Sequence, residues 1–214
     1  MKLESALPLL RQNPIVPVVV LNRVKDAVPT ALALLEGGIT SAEVTFRTPV
    51  AGACIEEIAT KVPDITVGAG TVVNKKQARE AINAGAKFLV SPGCCRKVAK
   101  VANSLQVPLL PGVASPTDIM HVLDWGVDVV KFFPAVALGG LPLVKAYLGP
   151  FPQLKVMPTG GISLDNMGDW LRHPNVPAVG GSWMCAPKLI ESGSFSEIVR
   201  LSREATEKVK GFRS

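Results

Sequence analysis

Two stretches set charged side chains inside runs that otherwise read as strands. The first is Val127-Asp-Val-Val-Lys131-Phe-Phe133-Pro, a lysine among β-branched and aromatic residues. Burial disfavours a charged amine, and a neutral amine is what attack on a ketone to form a Schiff base requires. The alternative is a lysine guarding an exposed edge strand. A closed barrel has no edge, so the fold decides between the two. The second stretch is Ala42-Glu43-Val-Thr45-Phe-Arg47. Strand alternation predicts Glu43, Thr45 and Arg47 on one face and Val44 and Phe46 on the other. An inward carboxylate and guanidinium are costly unless paired or used. The trio therefore reads either as a structural ion pair or as acid/base and anion-binding chemistry.

Two glycine pairs follow later runs, in Thr159-Gly160-Gly161-Ile-Ser and Gly180-Gly181-Ser182-Trp. Paired glycines let backbone N–H groups approach an anion. In parallel barrels the seventh and eighth strand ends often bind phosphate. Simple tight turns are the plainer reading, but both motifs fall at the expected strands. Gly68-Ala-Gly70-Thr71 resembles the opening of a dinucleotide fingerprint, yet position 73 is Val, so that reading is rejected. Its small residues instead open room at a strand end beside the Thr71 hydroxyl. Cys54, Cys94, Cys95 and Cys185 form no C-x-x-C, and the two histidines, His121 and His173, lie far apart. No metal site is expected, nor any cofactor, and the cysteines read as reduced, mostly buried thiols.

These groups need elements to hold them. Eight candidate strands are predicted: 15–20, 42–46, 65–69, 88–91, 107–110, 127–133, 155–159 and 177–180. Helices are predicted over 24–36, 50–61, 75–84, 95–104, 117–125, 141–148, 164–172 and 195–210. Their signals include Asn74 as an N-cap, glycine stops at 37–38, 85 and 126, and a Ser194–Glu197 capping box. Alternating strands and helices mean a parallel sheet with helices outside. The alternative is an open doubly wound sheet, but eight such units close naturally, so the chain reads as an α/β protein, a (β/α)8 TIM barrel. A short helix over 3–11 would cover its bottom, and residues 1–214 would form one domain.

The chain's 214 residues are 48% hydrophobic, enough for one sizeable core. No apolar run reaches the roughly 18 residues of a membrane helix, and the first residues do not resemble a secretory signal. With 23 basic and 17 acidic residues the net charge is +6. The basic residues are dispersed, as in Lys75-Lys76 and Arg96-Lys97-Lys100, and aromatics are only 5%. Neither nucleic acid nor membrane is an expected partner; salt-dependent binding to random duplex would show otherwise.

The segments Glu43-Val-Thr-Phe-Arg47-Thr, Gly68-Ala-Gly-Thr71, Ser91-Pro-Gly93, Leu110-Pro-Gly112, Lys131-Phe-Phe-Pro-Ala135, Pro158-Thr-Gly-Gly-Ile162 and Gly180-Gly-Ser-Trp183 resemble, in order, the 2-keto-3-deoxy-6-phosphogluconate (KDPG) aldolase / 4-hydroxy-2-oxoglutarate (KHG) aldolase family. The resemblance implies a metal-independent class I aldolase on a (β/α)8 barrel, a cytoplasmic homotrimer acting on a phosphorylated 2-keto-3-deoxy acid and releasing pyruvate. It implies Lys131 as the Schiff-base lysine and Glu43 as the acid/base. Arg47 and Thr71 would hold the pyruvate carboxylate, and Pro92 and Phe133 would line the pocket. Thr159 matches a position tied to preference at C4. Relatives acting on the galactonate epimer can carry Val there, so Thr159 favours the gluconate substrate. Gly160, Gly161, Gly181 and Ser182 would take the phosphate. The chain departs from the family at Val136, where Glu is common, and at Cys94-Cys95. The rivals are an aldolase for the C4 epimer, a phosphosugar isomerase or epimerase without an iminium, and an inactive phosphate-binding barrel. Lys131 in its apolar run argues against the isomerase, and the Glu43, Arg47 and Lys131 set argues against the inactive barrel.

Overall fold

The computed structural model describes residues 1–213. The final residue of the expected domain, Ser214, lies outside them. Nine short parallel strands alternate with ten α-helices among the described residues. The strands are β1 (Ile15–Val19), β2 (Ser41–Thr45), β3 (Thr66–Gly70), β4 (Leu89–Val90), β5 (Leu109–Leu110), β6 (Gly112–Val113), β7 (Val129–Phe132), β8 (Lys155–Pro158) and β9 (Val179–Gly181). The helices are α1 (Leu7–Gln12), α2 (Ala27–Glu36), α3 (Ala51–Lys61), α4 (Lys75–Asn83), α5 (Arg96–Ser104), α6 (Pro116–Leu123), α7 (Gly140–Leu148), α8 (Met167–Leu171), α9 (Pro187–Glu191) and α10 (Phe195–Arg213).

Hydrogen bonding divides the strands into two curled sheets, one ordered β5-β4-β3-β2-β1-β9 and one ordered β6-β7-β8. The expected fifth strand, 107–110, is shortened to β5, and β6 after Pro111 is a strand not expected from the sequence. Pro111 has no N–H to give to a ladder. Residues before it pair with β4, and residues after it pair with β7. The Pro111 carbonyl still accepts the Lys131 N–H at 3.0 Å, so the chain passes from one sheet into the other within a few residues. At the opposite edges Thr159 bridges to Gly180, and the Val156 N–H donates to the Asn175 carbonyl at 2.8 Å.

Alternation along the strands divides the core in two. Val130, Phe132, Val156, Leu89, Leu109 and Val179 pack outward with the helices. Their strand neighbours Val129, Met157, Val90, Leu110 and Ala178 form a separate inner cluster with Val16, Phe88, Ala6 and Leu10. Phe88 fits inside because Gly68 faces it: a Cβ on Gly68 would lie 2.4 Å from the ring. The N-terminal segment closes this apolar end with Ala6 and Leu10.

Helix boundaries follow local chemistry. Asn74 accepts from the Gln77 N–H and caps α4 as expected. The capping box sits at Ser115 and Asp118, opening α6, and not at Ser194 and Glu197. Glu197 is instead engaged by Arg200 at 2.7 Å, and the Ser194 hydroxyl meets that of Ser192 at 2.8 Å. Helix α1 begins at Leu7, later than expected, because the Ser5 hydroxyl takes the Leu7 N–H and Pro8 occupies the first turn. Helix α8 is much shorter than 164–172, because Asn166 ties residues 161–163 into a turn before the helix starts. Helix α9 and the 3₁₀ turn Trp183–Cys185 were not expected from the sequence.

Candidate active site

Lys131 is the third residue of β7, which lies between β6 and β8. It is therefore not on an edge, and the reading of Lys131 as an edge guard falls away. The Lys131 side chain shares the inner face with Val129. The residue is 3% exposed, and its Nζ lies 3.2 Å from Oε1 of Glu43, which is 0% exposed. Glu43 comes from the middle of β2, where Val44 packs outward into the helix layer. The amine and carboxylate are thus delivered by two strands from separate sheets and meet inside. The Phe133 ring centroid lies 5.5 Å from Nζ, within range of a cation–π contact.

Glycines make this meeting sterically feasible. A Cβ on Gly70 would stand 2.1 Å from Oε1 of Glu43, so any side chain there would displace the carboxylate. Gly112 is the register partner of Lys131, and a Cβ on it would strike the carbonyl carbon of Pro92 at 2.2 Å. That contact brings Pro92 over the strand beside the lysine. Gly180 faces Thr159, whose Oγ1 would lie 2.3 Å from an added Cβ. The sequence marked Gly70 as opening room beside Thr71 and Gly180 as half of an anion-binding pair, but not as the positions that admit Glu43 and Thr159. Their role depends on which side chain faces them across a ladder, and this follows only from register.

Thr45 is buried with Glu43, but its hydroxyl donates to the Val19 carbonyl at 3.0 Å, a structural use. Arg47 corrects the expectation of an inward polar trio. The strand ends at Thr45, so Arg47 lies beyond the alternation and is exposed. Its Nε donates to Oγ1 of Thr71 at 3.2 Å, which brings two expected carboxylate-binding residues together at the rim. Thr71 itself turns the chain with φ of 55°.

At the ends of β8 and β9 the bridge between Thr159 and Gly180 sets the two glycine pairs side by side. Gly160 and Gly161 have φ of 96° and 79°, which favours glycine at both. Phe133 also packs on this loop, 3.4 Å from where a Gly160 Cβ would be. It spans from the lysine to the glycine turn. Gly161 abuts Val136. Gly181 is fixed by packing, since a Cβ there would be 2.0 Å from the Trp183 ring. Ser182 is exposed, and its carbonyl accepts from the Cys185 N–H. Two buried side-chain oxygens at this end, Oε2 of Glu43 and Oγ1 of Thr159, have no hydrogen-bond partner among the described residues.

The thiols compete poorly as nucleophiles. Burial pushes Cys185 up to about 12, and burial with the charges of Asp26 and Glu57 pushes Cys54 up to about 11. Neither is a thiolate near neutral pH. Cys94 and Cys95 are only half-buried, in contrast to the expectation, and all four cysteines are free. Burial and the neighbouring Asp118 raise Cys94 as well, and its Sγ lies 3.5 Å from Oδ1 of Asp118. Among the described residues no helix is long and apolar enough to cross a membrane, and no group of three His, Cys, Asp or Glu side chains is placed to hold a metal ion.

The arrangement is a buried amine and carboxylate in contact, an arginine and hydroxyl at the rim, and two glycine turns beyond. Comparison with known proteins agrees in kind. Residues 7–201 match the family model described as KDPG and KHG aldolase. A 2-dehydro-3-deoxy-phosphogluconate aldolase of Treponema pallidum (strain Nichols) is 46% identical over 90% of this chain and 92% of its own length. A crystal structure of KDPG aldolase from Legionella pneumophila, with pyruvate captured as a covalent carbinolamine, superposes with a TM-score of 0.90 at 42% identity, covering 93% of this chain and 97% of that one. The Zymomonas mobilis ZM4 KDPG aldolase, solved with 3-phosphoglycerate, gives a TM-score of 0.86 at 42% identity, covering 92% and 93%. The chain belongs to the KDPG and KHG aldolase family.

Proposed function

We propose that this chain is a Schiff-base aldolase that cleaves KDPG to pyruvate and glyceraldehyde 3-phosphate, and also KHG to pyruvate and glyoxylate. The observation that carries the reading is the Lys131–Glu43 contact, a buried amine 3.2 Å from a buried carboxylate. The Legionella relative, captured with a covalent pyruvate adduct, supports it.

The Lys131 amine adds to the C2 ketone to give a carbinolamine, and loss of water gives an iminium. The iminium accepts the electron pair of the C3–C4 bond as that bond breaks. Glu43, directly or through water, takes the C4 hydroxyl proton, and the aldehyde leaves. Glu43 then returns a proton to C3 of the enamine. Hydrolysis of the resulting iminium restores the lysine and frees pyruvate. The contact with Nζ gives the carboxylate a direct route to the protons that the amine must gain and lose.

Arg47 and Thr71 are placed to hold the C1 carboxylate, a charge-assisted contact that orients the ketone. Pro92 and Phe133 wall the pocket. Thr159 offers an unpartnered hydroxyl to the sugar chain, and Glu43 Oε2 is likewise free for a substrate hydroxyl. The phosphate is assigned to Gly160, Gly161, Gly181 and Ser182; the Zymomonas relative solved with 3-phosphoglycerate supports a phosphorylated ligand. We further infer that the two sheets close into one (β/α)8 barrel through Pro111 and the Thr159–Gly180 bridge. The resemblance carries the added expectation of a cytoplasmic homotrimer, which light scattering of the purified protein would test by mass.

Pyruvate release coupled to lactate dehydrogenase tests the function. KDPG should turn over with higher kcat/KM than its C4 epimer, and KHG should also turn over. Release of no pyruvate from any of the three would overturn the assignment and favour the isomerase or inactive-barrel reading.

A further inference from the structure

We infer that Asn166 is a positioning residue that turns two backbone N–H groups of the 160–162 loop toward the substrate phosphate. The inference rests on the proposed phosphate site. All three carbonyls of this turn are held by the protein. Thr159 O accepts from the Ala135 N–H at 2.8 Å, and Gly160 O accepts from the Val136 N–H at 3.1 Å. Gly161 O accepts from Nδ2 of Asn166 at 2.8 Å. The other atom of the same amide, Oδ1, accepts the Ser163 N–H at 3.0 Å. One side chain therefore closes the turn at both ends.

Peptide planarity gives this consequence. In a trans peptide the C=O and the N–H that follows it point in opposite directions. Holding Gly160 O at Val136 therefore turns the Gly161 N–H away from Val136. Holding Gly161 O at Asn166 turns the Ile162 N–H away from Asn166. Neither of these two N–H groups meets a protein acceptor among the described residues. The positive φ at Gly161, between these two N–H groups, leaves both outward in a turn of the kind that binds anions. The Val136 contact is backbone and persists whatever the side chain. The Asn166 contact depends on a side chain that both donates and accepts. Aspartate at this position would keep the acceptor for Ser163, lose the donor to Gly161, and add a negative charge beside the anion.

A second tether supports the same loop. Nζ of Lys208, from α10, donates to the Leu164 carbonyl at 2.9 Å. It fixes the chain just past the turn without touching the glycines.

The test compares substrates with and without a phosphate. For Asn166→Ala, KM for KDPG should rise about ten- to a hundredfold, the worth of a hydrogen bond to a charged group. KM for KHG, which has no phosphate, should move less than about twofold on the same scale. Asn166→Asp should raise KM for KDPG further, and inorganic phosphate should lose potency as a competitive inhibitor of both variants. Equal rises for the two substrates, or no rise for either, would overturn the assignment. If Asn166→Ala fails to fold, Asn166→Asp, which keeps the Ser163 contact, carries the same comparison. Failure of the aldolase reading is separately visible, because the unaltered protein would then release no pyruvate from either substrate.

Discussion

The two ends of the inner space are built by the same strands and behave as opposites. At one end Val16, Phe88, Leu110, Val129 and Met157 meet Leu10 in an apolar cluster. Two residues further along the strands, Val129 gives way to Lys131 and Met157 to Thr159, and the facing positions Gly70, Gly112 and Gly180 have no side chain. The first end fills its volume with large side chains. The second sets Lys131 against Glu43, with Glu43, Pro92 and Thr159 pressed close to the glycines. Because a strand repeats every two residues, stability and reactivity can be assigned to successive inward layers without changing the backbone.

This contrast can be broken from either side. The largest expected effect is at the reactive end. Glu43→Gln should still form the pyruvate adduct yet lose about 10²–10⁴-fold in kcat, the usual worth of a positioned acid/base. Wild-type turnover would remove Glu43 from that role. At the sealed end, Leu10→Ala should lower the unfolding free energy by about 2–5 kcal/mol in denaturant melts. The folded fraction should keep its kcat; a fall in kcat would show that the two ends are not separable.

Gly70→Ala sharpens the boundary between the layers. Its Cβ would press on the Glu43 carboxylate, 2.1 Å away before relaxation. A misplaced acid/base should cost about 10²-fold in kcat, with a smaller change in melting temperature than Leu10→Ala. The reverse ranking would make Gly70 a packing residue only. The smallest effect is at the exposed rim. Ser182→Asp should raise KM for KDPG by like-charge repulsion and leave KM for KHG near its starting value. An equal change in both would remove Ser182 from the phosphate site.

Much of this was legible in the sequence because alternation is local. The placement of Lys131 within a strand and of Glu43 on its inner face followed from neighbouring residue types. Arg47 did not, because the alternation was extended past the point where the strand stops. The Ser194–Glu197 signal failed because Arg200, one turn on, offers Glu197 a charged partner on the exposed face. Strand β6, which joins β7 after Pro111, has only two residues, too short a run for alternation to show. Gly70 owes its importance to Glu43, distant in sequence and adjacent only through the β2–β3 register. Asn166 did leave a local signal, an Asn three residues after Ser163. Its meaning required seeing that the same amide also reaches Gly161.

Every step of the proposed cleavage runs through the Lys131 amine. Incubation with pyruvate and borohydride, followed by intact mass and peptide mapping, tests it directly. One reduced pyruvate per chain is expected, located on Lys131 and absent from a folded Lys131→Ala variant. No adduct on folded protein, with a control aldolase labelled in parallel, would contradict the iminium mechanism. An adduct on another lysine would contradict the site.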